Sequence, residues 1–132
     1  MHATTTTTAA LLGGAGDQTC EVVLSYTSTD PYAITVTFGD PHNTSWTFAR
    51  DILLNPALTH PVKSDVCVWT SVHGDVASYI ISLTSPSGHA TVALSRHQVD
   101  TFLAVTCQLV PVGDEHEHFD VDALIGNLLA IT

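Results

Sequence analysis

The sequence predicts an α+β fold made of two units, each a β-hairpin or small sheet followed by a helix, with a further helix at the C-terminus. Three observations lead there. Short runs such as "YAITVTFG" alternate apolar and polar residues with period two, as half-buried strands do. The arrangement strand, Pro-containing turn, strand, arginine, helix occurs twice, in "TVTFGDPHNTSWTFARDIL" and "IISLTSPSGHATVALSRHQV", so that Pro41 corresponds to Pro86 and Arg50 to Arg96. The last segment, "HFDVDALIGNLLAI", places Phe119, Leu124, Ile125, Leu128 and Leu129 at near-helical spacing behind acidic residues that suit a helix start.

Taken in order, residues 1–17 are rich in Thr, Ala and Gly and are expected to form a disordered leader, leaving 18–132 as a single domain. "CEVVLSYT", "YAITVTFG" and "SWTFA" read as strands, with the turn "DPHNTS" between the last two. A short helix over about residues 50 to 55 is ended by Pro56. "SDVCVWTSV", "VASYIISLTS" and "HATVALS" repeat the strand pattern. A longer helix then runs from about Ser95, a good N-cap residue, to about Gln108, with Val99, Phe102, Leu103 and Val105 on its apolar side. The two units are expected to pack their sheets together with helices over the ends.

At 132 residues and 45% hydrophobic content the chain can bury a real core, and no apolar run approaches the ~18 residues that cross a bilayer. No basic n-region opens it, so it is expected to be cytoplasmic, without direct membrane insertion. Thirteen acidic against three basic side chains give a formal net charge of −10. Nucleic acid is held chiefly by Lys and Arg on phosphates, so this balance argues against it as a partner. Cys20, Cys67 and Cys107 lack paired CxxC spacing and read as buried thiols.

The densest polar cluster is "GDEHEHFDVD", residues 113 to 122, in which His116, His118, Glu115, Glu117, Asp120 and Asp122 are all of ligand type. Its spacing matches no HExxH or similar pair, and a solvated acidic helix start explains it better than a metal site. No GxSxG elbow, SxxK, GxGxxG or Walker loop is present, so neither catalysis nor a cofactor is expected. Trp46 and Trp69 lie in alternating strands, where a core or subunit interface is the expected role. A guanidinium at a strand-to-helix junction can reach several backbone carbonyls or a carboxylate in fixed geometry. Arg50 and Arg96 are therefore expected to tie sheet to helix in each half, with Asp51 as the acidic neighbour of Arg50.

The segments "DPYAITVTF", "WTFARDILL", "SDVCVW", "LTSPSGHA" and "VPVGDEHEHFDVDALIGNLL" resemble, in this order, the SsgA-like sporulation and cell-division proteins of actinomycetes, over about residues 20 to 130. The most specific pieces are "DPYA", "W-x-FARD-x-L" and "HFD-x-D"; the last of these, with the glycine of "VPVG", adds Gly113, His118, Phe119 and Asp120 to the candidate structural or interaction residues. The resemblance implies a non-enzymatic protein that positions septa at the division site by protein contacts. Its implied partners are the tubulin-like FtsZ, other division proteins or another SsgA-like protein. It also implies a homotrimer with a fold similar to that of Whirly proteins, whose single-stranded nucleic-acid binding is the alternative function that the charge disfavours. The threonine-rich leader and the scarcity of basic residues in "RHQVDTFLAVTCQLV" depart from the family pattern.

Overall fold

The computed structural model describes residues 1–12, 18–39, 44–56, 65–73, 75–86 and 88–118. Its strands are β1 (His2–Leu12), β2 (Gln18–Thr27), β3 (Ala33–Phe38), β4 (Ser45–Ala49), β5 (Val66–His73), β6 (Val76–Ser85) and β7 (Gly88–Ser95), and its helices α1 (Arg50–Leu54), α2 (Arg96–Leu109) and α3 (Glu115–His118). The strands form one antiparallel sheet in the order β4-β3-β2-β1-β7-β6-β5. The α+β class and the six strands read from alternation are all present. The expectation of two sheets packed together is corrected, because the two units share a single sheet.

The element that joins them is the segment expected to be a disordered leader. His2–Leu12 is a strand paired on both sides, with Ala9 opposite Cys20 of β2 and Leu94 of β7. Thr7 and Ala9 are buried on the inner face while Thr4, Thr6 and Thr8 point outward to solvent. Threonine is a good strand former whose β-branched side chain suits a pleated surface, and it is tolerated on either face. A run of five therefore carries a period of two that composition hides. Residues 13–17 and the C-terminal helix expected after His118 lie outside the described residues.

The inner face of the sheet carries Val22, Leu24 and Tyr26 from β2, Ile34, Val36 and Phe38 from β3, and Tyr79, Ile81 and Leu83 from β6. Against it α2 buries Val99, Phe102, Leu103 and Thr106, lying over β1, β6 and β7. α1 follows the edge strand β4 yet also touches the opposite edge strand β5, so the sheet is curled around its helices. Among the described residues no helix is long and apolar enough to cross a membrane.

Ser95 caps α2 as its residue type predicts, its side chain accepting from the Gln98 amide at 3.4 Å. Ser95→Ala leaves that amide without its side-chain partner and is expected to cost ~1 kcal/mol of stability. A thermal or urea melt checks this, and an unchanged midpoint would show that the long hydrogen bond contributes nothing.

Candidate functional site

The first strand-to-helix junction contains the most buried charge among the described residues. Arg50 opens α1, its amide donating to Tyr32 O at 2.7 Å, and the residue is only 1% exposed. Its Nη1 donates to Thr106 O at 3.2 Å and to Val110 O at 2.8 Å, both at the C-terminal end of α2. Its Nη2 donates to Glu115 Oε1 at 2.9 Å. The guanidinium also lies over the Tyr26 ring, 5.1 Å from the centroid, and the Tyr26 hydroxyl donates to Pro31 O at 2.9 Å.

This geometry follows from what α2 lacks. Its last turn holds no basic residue, so the partial negative charge and carbonyl lone pairs of its C-terminal end are open to a cation from elsewhere in the chain. Arg50 supplies it from another element, with two donors on the helix end and a third on the α3 carboxylate. Glu115 is fixed in turn, its Oε2 accepting from the Gly113 amide at 2.9 Å. Gly113 has a φ of +97°, a conformation other residues adopt only with strain.

The hydrogen bond from its own backbone amide, with those from Arg50 and Gly113, holds the Glu115 carboxyl below its ordinary value of 4.5. A carboxyl depressed in the folded state adds stability that is fully present above its unfolded pKa and lost as pH falls through the folded value. The melting temperature of the wild-type chain is thus expected to fall more steeply than that of Glu115→Gln as pH drops below the ordinary carboxyl value of 4.5. Parallel curves would remove Glu115 from the acid response. Burial raises the Tyr26 phenol above its usual range despite the opposing charge of Arg50.

The second junction differs. Arg96 is about half exposed, its Nε 3.5 Å from Asp100 Oδ2 one turn along the same helix and its guanidinium 5.9 Å from the Tyr79 ring centroid. The Tyr79 hydroxyl donates to Asp100 Oδ1, and burial together with that bond pushes the phenol up to about 12. Exposed pairs of this kind contribute only ~0.3–0.5 kcal/mol. The sequence repeat therefore places two arginines at equivalent junctions with unequal surroundings.

Asp51 is not the acidic partner of Arg50, since it is exposed and its Oδ1 accepts from Asn55 Nδ2 at 2.7 Å. Glu115, 65 positions away, takes that role, although in the sequence it stands among the histidines of the 113–122 cluster. The signal that could have found it is the basic-free C-terminal turn of α2, which leaves room for an outside cation in a chain with few to offer. Trp46 packs against the core from the inner face of β4, opposite Val36. Trp69 lies on β5 opposite Ile80 and does not join it. His118 is exposed at the end of α3, and Phe119 and Asp120 lie outside the described residues. Among the described residues no three His, Cys, Asp or Glu side chains converge as metal ligands.

A curled antiparallel sheet around one long helix, with the most buried cation of the described residues bound to its own backbone, defines a small α+β protein whose polar centre serves the fold. Residues 20–115 match the family model described as Streptomyces sporulation and cell division protein, SsgA. The chain belongs to this SsgA family. It is 37% identical over 109 residues to the sporulation-specific cell division protein SsgB of Streptomyces coelicolor, covering 81% of this chain and 80% of that one. The SsgB of Thermobifida fusca is 36% identical over 109 residues, 81% of this chain and 79% of the relative. The crystal structure of an SsgA-like sporulation-specific cell division protein from Thermobifida fusca superposes with a TM-score of 0.84 at 31% identity, covering 96% of this chain and 95% of the other.

Proposed function

We propose that this protein is a non-enzymatic scaffold of sporulation-specific division, which positions septa by recruiting FtsZ and its associated proteins. It works as a homo-oligomer, a trimer in this reading, in the cytoplasm at the septum, alone or with a second SsgA-like protein. Family membership and the names borne by its relatives support the division role. The disposition of positive charge favours a protein partner over nucleic acid. Of the three basic residues, Arg50 is buried against its own chain and Arg96 is paired with Asp100, which leaves little to neutralise phosphates in a chain of net charge −10.

Size-exclusion chromatography with light scattering, run with and without FtsZ, tests the reading. A trimer that co-migrates with FtsZ or alters its polymerisation supports it. A monomer without effect on FtsZ removes both assembly and partner, and a salt-dependent shift of single-stranded oligonucleotides would move the assignment to the alternative class.

A further inference from the structure

Among the described residues, only part of the concave face is covered, and α2 covers it. It lies over β1, β6 and β7, and enters from the end of β7 at Ser95. At the opposite end of the strands, a cavity of about 750 Å³ opens between the end of β1, the start of β2, the end of β3, the start of β4 and the β6–β7 hairpin. Its apolar lining includes Leu11, Cys20, Phe38, Trp46, Leu83 and Val92. Phe38, Leu83 and Val92 are each more than nine-tenths buried, so this lining continues the core. Gln18, Thr44 and Ser85 supply neutral hydrogen-bonding groups.

Two properties select an occupant. The volume lies within the range of small-molecule sites, which combine an apolar lining with a few polar groups. No Asp, Glu, Lys or Arg stands among the described lining residues, although the chain has 13 acidic side chains. Among the described lining residues an anion would find only His89 as a countercharge, and that ring already meets the Thr84 and Thr91 hydroxyls, inside a protein whose net charge repels anions. A neutral molecule meets neither penalty. Burial also raises the Cys20 thiol above its ordinary value.

We propose that the end of the curled sheet left open by the described residues is a binding site for a neutral, mainly apolar small molecule with a hydroxyl or amide head, its body on Phe38, Trp46, Leu83 and Val92 and its head towards Gln18, Thr44 and Ser85. The site is independent of the division reading and would stand if FtsZ were not the partner.

N-phenyl-1-naphthylamine, a neutral dye that fluoresces when buried in apolar surroundings, is the probe. The full chain is expected to bind one dye with a Kd in the micromolar range, and Trp46→Phe to reduce energy transfer from tryptophan, since Trp46 lines the cavity and Trp69 does not. 1-Tetradecanol should displace the dye, and tetradecanoate should do so at least ~10-fold less well. Ala90→Trp places a large ring in the lining from an exposed position and should weaken dye binding by ~10-fold or more. Thr6→Trp, on the outer face of β1, should leave binding unchanged and shows whether added tryptophan alone matters. Absence of dye binding, or equal binding by wild type and a folded Ala90→Trp chain, overturns the site. Displacement by tetradecanoate as strong as by the alcohol overturns the neutral ligand class.

Discussion

Arg50→Ala is expected to destabilise the chain by ~3–5 kcal/mol, the cost of removing one partner from a buried charged pair together with its other hydrogen bonds. The substitution leaves Thr106 O and Val110 O without the guanidinium donor and Glu115 without its cation, while opening a void beside the Tyr26 ring. Arg50→Lys should recover only part of the loss, because one ammonium cannot span two carbonyls and a carboxylate in the geometry of a planar fork. Arg96→Ala is the internal comparison and should cost less than ~1 kcal/mol, since its partner Asp100 is half exposed. Chemical denaturation of the three variants distinguishes the junctions, and equal losses at Arg50 and Arg96 would contradict the asymmetry.

Deleting residues 1–12 is expected to abolish cooperative unfolding altogether. β1 hydrogen-bonds to both β2 and β7, so its loss separates the strands of the two units and exposes Leu24 and Leu94 beside the gap. A point test isolates the same element. Ala9→Asp, at a fully buried position, should cost at least ~3 kcal/mol, whereas Thr8→Asp, one residue away on the outer face, should stay within about 0.5 kcal/mol of wild type. Circular dichroism melts and amide spectral dispersion read both. A cooperative melt in the truncated chain, or similar losses at Ala9 and Thr8, would mean that β1 is not the join.

Much of the fold was legible because a half-buried strand writes its orientation into the sequence. In β3, Ile34, Val36 and Phe38 are buried while the threonines between them are not, as the alternation required. β1 escaped because Thr5 and Thr7 on one face and Thr4, Thr6 and Thr8 on the other are the same residue, so no apolar contrast marks the pleat. With β1 unread, the merging of two units into one sheet could not be read either. For the buried arginine, the local half was visible: Arg50 at the start of a helix, in a chain almost without cations. Its partners are carbonyls at the end of α2 and a carboxylate in α3, and such distant pairings leave no trace in local spacing. The repeat suggested equivalence of Arg50 and Arg96, but Asp100 stands one turn along from Arg96 and pairs with it on the surface.

The strand order also sets a timetable for the growing chain. β1 is made before β2 and can pair with it early, but its other edge waits for β7, the last strand among the described residues. Contacts so distant along the chain slow folding, and an open strand edge invites pairing with a neighbouring chain in the meantime. A waiting edge is safest when its side chains are sparingly hydrophobic. The threonine run of β1 meets that need, because it holds strand geometry without offering the sticky aliphatic surface that nascent aggregates use. Exchanging Thr4, Thr6 and Thr8 for valine should therefore lower the soluble yield on synthesis more than it changes the melting of the finished protein.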